Sequence, residues 1–349
     1  MRLVKVGGSV LRSAEDYVRC ALLAVNLGAR VVVVSAMRGV TNSLLSAAKQ
    51  CDEKTMNETL GLLTATAREL GAEGVEGWAE RSIRAFRAYC SEPSPWLLDE
   101  VLAVGERIST LSMAAAFRNL GLKAYPLDGG EAGIVTDDKF GSAVPLFAEC
   151  YTRVRERLEP LLSRYDVVVV AGFVGETLDG RTTTMGRGAS DLTATIVARA
   201  LDAEVLYLIT DAPYLMTADP VAVPSARPLK LVGVKEADVM AELGVKRFHP
   251  LTFKPVLGSR LRLVVGSNPP NGSLVVDRLA PPELKVVTLR DGRVIFVGYG
   301  ARRYAKEVAS DLGLQLLEVG EYHFTLLAPE GGNHLLARAH ETVLDIVCR

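Results

Sequence analysis

Residues 3–35 of this chain read LVKVGGSVLRSAEDYVRCALLAVNLGARVVVVS, which divides into a strand, a helix and a second strand. Leu3–Val6 is rich in apolar and β-branched residues and ends at a Gly-Gly-Ser turn, so it predicts a first strand. The helix begins at about Ser13 and ends at Gly28. Arg30–Ser35 is the second strand, and its continuous valines predict a parallel strand that is covered on both faces.

The same alternation continues along most of the chain. Strand-like runs recur at Ala124–Leu127, Asp166–Phe173 and Glu204–Ile209. An amphipathic helical pattern covers Leu97–Leu120, and another helix covers Asp191–Leu201. Because strands that alternate with helices form βαβ units, the sequence predicts an α/β domain with a mostly parallel central sheet.

A second, smaller domain follows a break at residues 266–283 that is rich in Gly, Pro and Asn. The order predicted after the break is βαββα, a small α+β module that is too short for another catalytic domain. We expect a first domain at residues 1–276 and this regulatory or oligomeric module at residues 284–349. Its predicted elements are Val294–Val297, Arg302–Leu312, Leu314–Val319, His323–Leu327 and His334–Leu344.

Composition excludes several classes of function. The 349 residues include 40 Lys and Arg against 41 Asp and Glu, so the net charge does not indicate binding to nucleic acid or to an acidic membrane. The longest apolar runs are too short to span a membrane, and no apolar signal segment follows Met1. We expect a cytoplasmic protein. We also expect no metal site, since the cysteines and the four histidines lack metal-ligand spacing. We also expect reduced thiols at all five cysteines, Cys20, Cys51, Cys90, Cys150 and Cys348.

Three turns are compatible with phosphate binding. In Lys5–Ser9 the two glycines let backbone N–H groups approach an anion, and the lysine adds a positive charge. Thr182–Asp191 brings hydroxyls and Arg187 to the start of a helix, whose N-terminus favours anions. Ile209–Pro213 places Asp211 at the carboxyl end of a strand, where a parallel sheet binds nucleotides. Each of the three is also compatible with an ordinary turn or a capped helix.

Together the three turns favour phosphoryl transfer to an acid. Two unit negative charges about 4 Å apart repel by about 4 kcal/mol at an effective dielectric constant near 20. A carboxylate that attacks a phosphoryl group therefore needs positioned cations and N–H donors around it. The chain has no G-x-x-x-x-G-K-[ST] and no H-R-D motif, which excludes the standard P-loop and protein-kinase sites.

Seven segments within residues 1–276 resemble, in the same order, the motifs of the aspartate kinase family of the amino-acid-kinase superfamily. The G-R-G-x-S-D block at residues 186–191 separates this family from acetylglutamate and uridylate kinases. The segments are Lys5–Ser9 (K-F-G-G-[TS]), Val32–Thr41 (V-V-S-A-M-x-G-x-T), Gly105–Ser109 (G-E-x-x-S), Gly172–Gly175 (G-F-x-G), Thr183–Ala194 (T-T-L-G-R-G-G-S-D-x-T-A), Thr210–Pro220 (T-D-V … T-A-D-P-R) and Val245–Pro250 (A-K-V-L-H-P).

The resemblance implies a three-layer αβα kinase domain that phosphorylates the side-chain carboxylate of L-aspartate with ATP, the first step towards lysine, threonine and methionine. Mg²⁺ would be carried on the nucleotide. The motif matches assign catalysis to Lys5 and Asp191, and they place Asp191 beside the substrate's amino group as well. They assign aspartate to Ser35, Thr41, Glu106 and Arg187, the last as a planar partner for the α-carboxylate. They assign ATP to Lys5, Gly7, Gly8, Ser9, Thr210, Asp211 and Lys246.

Some of these residues also fit simpler roles. Glu106 fits a solvated helix position and Lys246 a surface charge, and His249 is better explained as a packed or hydrogen-bonded histidine.

The nucleotide segment departs from the family's pattern. Tyr214 stands where Gly is usual, Met216 where Tyr is common, and Val221 where the family has Arg. The loss of that cation weakens phosphate binding unless Arg227 or Arg247 replaces it. The opening motif is also one residue shorter than usual, as in the acetylglutamate branch.

The tail departs most. Family members commonly carry two ACT modules that bind lysine or threonine, whereas residues 284–349 leave room for one ACT-like module. We expect it to support a homo-oligomer, a dimer, with feedback inhibition absent or altered. Two alternatives remain open, namely another amino-acid or carboxylate kinase of the superfamily, and a weakly active amino-acid-sensing partner of a full-length aspartate kinase.

Overall fold

A computed structural model describes residues 1–245, 248–329 and 333–348, without the side chains of Asn333, Val347 and Cys348. By its internal contacts the chain divides into two compact units, residues 1–211 and residues 212–349. The predicted domain limits, 1–276 and 284–349, follow composition rather than contacts and stay a prediction.

The first unit is built on five parallel strands in the order β7-β1-β2-β4-β3. Their side chains are almost all buried Val, Leu, Ile and Ala, as the valine runs predicted. The strands are β1 Arg2–Val6, β2 Ala29–Val34, β3 Ala124–Leu127, β4 Val167–Ala171 and β7 Val205–Ile209. A short antiparallel hairpin lies outside this sheet and consists of β5 Val174–Glu176 and β6 Thr182–Thr184.

Seven helices cover the two faces of these strands. The chain moves one way across the sheet from β1 through β2 to β3, and then returns through β4 to β7. Because crossovers between parallel strands are right-handed, the outward helices α1–α5 lie on one face and α6 and α7 on the other. The predicted three-layer αβα architecture is confirmed. The helices are α1 Ala14–Asn26, α2 Val40–Gln50, α3 Glu53–Glu69, α4 Val75–Ser91, α5 Pro95–Asn119, α6 Phe147–Leu162 and α7 Ala189–Ala200.

Helix α5 is buried on nearly every side over residues 99–117. The sequence predicted an amphipathic helix here, but α1, α2, α3 and α4 pack against α5 on the side away from the sheet. Its buried charged side chains therefore need partners inside the protein. Arg107, for example, donates to Glu100 at 2.7 Å and to Asp128 at 2.9 Å.

Cys51 and Cys90 form a disulfide, so the prediction of reduced thiols is wrong for these two residues. Cys51 caps the end of α2 and Cys90 lies in the last turn of α4, and packing of α2 against α4 brings their Cα atoms to 5.6 Å. Their separation of 39 positions along the chain hides this proximity in the sequence. Cys20 and Cys150 are free and buried, and the side chain of Cys348 lies outside the described residues.

Replacing Cys51 with serine is expected to lower the free energy of unfolding by about 2–4 kcal/mol, because the disulfide closes a long loop in the unfolded chain. Denaturant unfolding with and without a strong reductant measures this loss. The double variant Cys51→Ser/Cys90→Ser is the control and should be insensitive to reductant. Two free thiols at these positions in the native, unreduced protein would contradict the assignment.

The second unit contains three groups of strands. Strands β10, β12 and β11 are hydrogen-bonded in that order, and β8 and β9 form a separate short pair. A four-stranded antiparallel sheet follows, in the order β13-β14-β16-β15. The elements are β8 Leu215–Met216, β9 Pro228–Leu229, β10 Leu231–Gly233, α8 Val234–Glu242, β11 Arg262–Asn268, β12 Asn271–Val276, β13 Val286–Arg290, β14 Arg293–Val297, α9 Ala301–Leu312, β15 Leu316–Val319, β16 His323–Leu327 and α10 Asn333–Cys348.

The C-terminal module has one strand more than predicted, because β13 precedes β14 in a hairpin. Asp291 and Gly292 join the two strands with φ angles of 49° and 70°, which is the backbone that a two-residue hairpin turn requires. The Asp-Gly pair between apolar runs was the sequence signal for this hairpin, and the sequence-based prediction missed it. The likeness of this module to an ACT domain stays a prediction.

Candidate active site

Lys5 and Asp191, the predicted catalytic pair, are in direct contact in the first unit. Lys5 lies on the central strand β1, is 8% exposed, and its Nζ is 2.8 Å from Oδ1 of Asp191. Asp191 is in the first turn of α7, where the positive end of the helix dipole stabilises a carboxylate. Gly172, at the end of β4, lets this helix approach closely, since a Cβ there would lie 2.6 Å from Cβ of Ser190.

The glycines after β1 form a tight turn between the ends of two neighbouring strands. Gly7 donates its N–H to the carbonyl of Ile209 at 3.0 Å, and a Cβ on Gly7 would lie 2.9 Å from the same oxygen. A Cβ on Gly8 would lie 2.5 Å from the carbonyl oxygen of Ala36. Neither position therefore has room for a side chain. Ser9 follows within a 3₁₀ turn and is half-buried beside Lys5 Nζ and Gly7.

Arg187 lies on the exposed loop before α7, between Gly186 and Gly188, which both have positive φ angles. Its Nη2 donates to Oδ1 of Asn42 at 3.1 Å. Asn42 is next to Thr41 in the first turn of α2, so the loop, Thr41 and α2 meet. The sequence did not predict Asn42 as a site residue, although it directly follows the matched motif that ends at Thr41.

Ser35 and Ala36 follow β2 and connect the glycine turn to helix α5. The N–H of Ser35 donates to the carbonyl of Val6 at 3.1 Å, and Ser35 is half-buried. On the other side, a Cβ on Gly105 would lie 2.8 Å from Cβ of Ala36. The glycine at position 105 thus allows α5 to bring its next residue, Glu106, against this segment.

Glu106 is a buried carboxylate with one oxygen that lacks a partner. It is 3% exposed, and among the described residues no group hydrogen-bonds its Oε2. Burial raises the pKa of Glu106 to about 8, although a hydrogen bond from the backbone N–H of Ala36 and the charge of Lys5 act in the opposite direction. A buried acceptor without a donor fits a cationic ligand group such as an ammonium. The alternative of a solvated helix position does not fit this burial.

Asp99 supports the loop that carries Arg187, a role that the sequence reasoning missed. Its Oδ2 accepts the N–H groups of Thr184 and Gly141, both at 2.8 Å, and its Oδ1 accepts the Thr184 hydroxyl at 2.7 Å. Burial raises the pKa of Asp99 above its usual range. Asp99 and Glu106 lie two turns apart on α5, so one rigid helix supports both sides of the site.

Thr210 and Asp211 follow β7, directly after Ile209, whose carbonyl accepts the N–H of Gly7. Thr210 is half-buried and donates its hydroxyl to Oδ1 of the exposed Asp211 at 3.2 Å. The first and third phosphate-compatible turns are therefore neighbours. Lys246 lies outside the described residues.

The predicted nucleotide segment at Tyr214–Val221 belongs to the second unit. Val221 is 91% exposed, and its N–H donates to Oδ1 of Asp219 at 2.9 Å. Arg227 is exposed, while Arg247 is outside the described part of the chain. His249 accepts the N–H of Leu251 at its Nδ1, in agreement with a hydrogen-bonded histidine.

The described ranges lack two further features, a cluster of metal ligands and a helix suited to a membrane. They contain no group of three or more metal-ligating side chains. No helix within them has both the length and the apolar character that a membrane crossing requires.

Comparisons with known proteins indicate the family of this chain. A family model described as the amino acid kinase family matches residues 1–267. Lysine-sensitive aspartokinase 3 of Escherichia coli strain K12 is 31% identical over 374 residues, which cover 99% of this chain and 83% of that protein. Chloroplastic aspartokinase 3 of Arabidopsis thaliana is 32% identical over 307 residues, covering 82% of this chain but 54% of its own length. Aspartokinase 1 of Bacillus subtilis strain 168 is 37% identical over 184 residues, 52% of this chain and 44% of its own.

Solved structures are similar over the whole chain. The crystal structure of E. coli aspartokinase III in complex with aspartate and ADP, in its R-state, superposes with a TM-score of 0.78 at 27% identity. This match covers 99% of the present chain and 84% of that one. The same enzyme with lysine and aspartate, in its T-state, gives a TM-score of 0.75.

Proposed function

The chain belongs to the amino acid kinase family, among its aspartokinases, and from this premise we propose that it transfers the γ-phosphoryl group of ATP to the side-chain carboxylate of L-aspartate. The products are 4-phospho-L-aspartate and ADP. The observation that carries the proposal is the buried, half-unpaired carboxylate of Glu106, which accompanies Lys5 and the glycine turn. Together they offer a place for an ammonium and a place for a phosphoryl group.

The phosphoryl group is handled by Lys5 and the turn after it. The cation of Lys5 offsets the repulsion between the attacking carboxylate and the γ-phosphate. Oδ1 of Asp191, 2.8 Å from Nζ of Lys5, holds the lysine side chain in place. Gly7 and Gly8 leave no side chain between the backbone and a phosphate, and Ser9 adds a hydroxyl. Thr210, Asp211 and Lys246 bind the rest of ATP, which brings Mg²⁺ as part of the substrate.

Aspartate is held by its two ends. Glu106 and Asp191 accept the ammonium, with the hydroxyls of Ser35 and Thr41 close to it. Arg187 binds the α-carboxylate, since its planar guanidinium can donate two parallel hydrogen bonds to one carboxylate. Asn42 keeps Arg187 in position at 3.1 Å.

Replacing Arg187 with alanine is expected to raise KM for aspartate about 30-fold and to change KM for ATP less than threefold, because only the α-carboxylate loses a partner. Steady-state ADP release with each substrate varied in turn measures both constants. The control is Arg181→Ala, an exposed arginine that pairs with Asp179 and should leave both constants unchanged. Equal effects of Arg187→Ala on the two constants would contradict the assigned role.

One observation favours a second candidate, a weakly active amino-acid-sensing partner of a full-length aspartate kinase. Val221, where the family has an arginine, is exposed and brings no charge to the nucleotide segment. ADP release with aspartate, glutamate or acetylglutamate distinguishes this candidate, and a kinase for another acid, from an active aspartate kinase. The same assay with added lysine or threonine tests the expectation that feedback inhibition is absent or altered.

The C-terminal module supports a homodimer. Within the described part of the chain, strand β15 pairs with β16 alone and so leaves one edge open, and Leu317 and Val319 on it are each 41% exposed. An open edge with apolar side chains is a surface on which a second copy can pair. We expect Leu317→Lys/Val319→Lys to halve the mass measured by light scattering after gel filtration. Leu279→Lys, at another exposed leucine, is the control, and a monomeric wild-type protein would contradict the proposal.

A further inference from the structure

The segment Thr217–Val223, hereafter the nucleotide turn, has a buried side and an exposed side. Thr217 and Ala218 are 6% and 1% exposed, and Val223 is fully buried. Asp219 and Val221 are exposed between them. The motif match to T-A-D-P-R relates this turn to ATP, so its exposed side is the one available to a nucleotide, while its buried side must be held by the protein.

The apolar anchors of the nucleotide turn belong to the core of the C-terminal module. Ala218 and Val223 are in one hydrophobic cluster with side chains of β13, β14, α9, β16 and α10, and the N–H of Val287 on β13 donates to the carbonyl of Thr217 at 2.9 Å. Cluster members from these elements include Val287, Phe296, Ala305, Phe324 and Ala339. The turn therefore folds as part of the module, although it precedes β13 by more than 60 residues.

The polar anchor is a hydrogen-bond chain that ends on helix α10. The backbone N–H of Arg227 donates to Oγ1 of Thr217 at 2.8 Å, and the same hydroxyl is hydrogen-bonded to Nε2 of His340, 2.7 Å away. Oγ of Ser225 lies 3.4 Å from Nδ1, and a ring with its proton on Nδ1 would accept the Thr217 hydroxyl at Nε2. His340 is fully buried, and burial lowers its pKa, which agrees with a neutral ring.

We propose that His340 is a positioning residue for ATP binding, which fixes the nucleotide turn through Thr217. The inference rests on the proposed kinase function, because the assignment of the turn to ATP comes from the family's motif. It adds that the C-terminal module holds the nucleotide turn in place.

The test compares His340→Leu, which removes the acceptor, with His340→Gln, whose amide oxygen can accept near the position of Nε2. We expect His340→Leu to raise KM for ATP about 5- to 20-fold, in line with the loss of one buried hydrogen bond, with KM for aspartate changed less than twofold. His340→Gln should restore most of the ATP affinity. The control on the same helix is Thr342→Ala, which removes an exposed hydroxyl that donates to the carbonyl of Arg338.

A double-substitution cycle shows whether His340 acts through Thr217. Thr217→Val also loses the acceptor for the N–H of Arg227, so it should be at least as damaging as His340→Leu, and the double variant should be no worse than Thr217→Val alone. Additive effects, equal changes in both KM values, or a loss of thermal stability with KM for ATP unchanged would overturn the inference. If His340→Leu does not fold, His340→Asn replaces it, because its shorter amide does not reach the position of Nε2.

Calorimetry with a non-hydrolysable ATP analogue separates this inference from the proposed function. A wild-type protein that does not bind the analogue would refute the kinase assignment. If the wild-type protein and the folded His340→Leu variant bind the analogue equally tightly, only the role of His340 is refuted.

Discussion

Replacing Lys5 with alanine is expected to lower kcat about 10³-fold, with KM for aspartate changed only a few-fold. In the proposed reaction, the charge on Lys5 stabilises the phosphoryl group as it approaches a second anion, and loss of one such positioned group in a water-excluded site typically costs about 3–4 kcal/mol of transition-state stabilisation. Steady-state ADP release at saturating ATP and aspartate measures the change.

Two further variants separate the role of the Lys5 charge from the ion pair that it forms. Lys5→Ala leaves Asp191 without its partner, so Asp191→Asn shows how much of the loss comes from breaking the pair. Lys49→Ala removes an exposed lysine on α2 and should leave kcat unchanged. An undiminished kcat in a folded Lys5→Ala protein would refute the assignment of the phosphoryl site.

Replacing Glu106 with glutamine is expected to raise KM for aspartate about 100-fold, because a buried charged partner of the substrate ammonium is lost while the shape of the site is kept. KM for ATP should change little, since Glu106 is assigned to the aspartate ammonium. The measurement is again ADP release with each substrate varied separately. A Gln variant with wild-type KM for aspartate would show that the ammonium binds elsewhere.

The raised pKa of Glu106 also sets a pH dependence that tests the same residue. With a pKa of about 8 in the free protein, the carboxyl group is protonated at pH 7 and must lose its proton to pair with an ammonium. KM for aspartate should therefore fall as the pH rises towards 8, by up to about tenfold per pH unit. Glu106→Gln should abolish this trend.

The stability of the free protein should change in the opposite direction with pH. Because the folded-state pKa of Glu106 is raised from 4.5 to about 8, its contribution to stability is complete below about pH 4.5 and is lost as the pH rises through 8. Glu106→Gln should therefore unfold at a higher temperature than the wild type at pH 8.5, where most of the buried carboxyl groups are ionised. Equal melting temperatures at that pH would contradict the burial of an ionised Glu106.

Much of the kinase fold could be predicted from residues alone. The valine runs and the glycine stops indicated parallel strands separated by helices, and the right-handed crossover then determines which helices share a face. The environment of α5 could not be predicted, since an amphipathic pattern does not show that further helices will cover the polar side. The disulfide was missed for a related reason, because only the packing of α2 on α4 brings Cys51 and Cys90 together.

The site could be predicted where single residues carry the chemistry and not where they act through neighbours. Lys5 and Asp191 are recognisable in the sequence and meet at 2.8 Å. Asn42 and Asp99 are ordinary polar residues in the sequence, and only their distances to Arg187 and Thr184 give them a role. The pKa of Glu106 depends on its burial, which the sequence does not contain.

The burial of α5 has a consequence for attempts to change which acid the enzyme accepts. Glu106 is held on a helix whose neighbours leave no space for adjustment, so substitutions around it would destabilise the protein before they enlarged the site. Arg187 is on an exposed loop between two glycines, and its guanidinium contacts the side chain of Asn42. A longer acid would be accommodated most readily by redesigning that loop. Helix α5 would be left intact, so that Glu106 keeps its proposed position beside the amino group of the substrate.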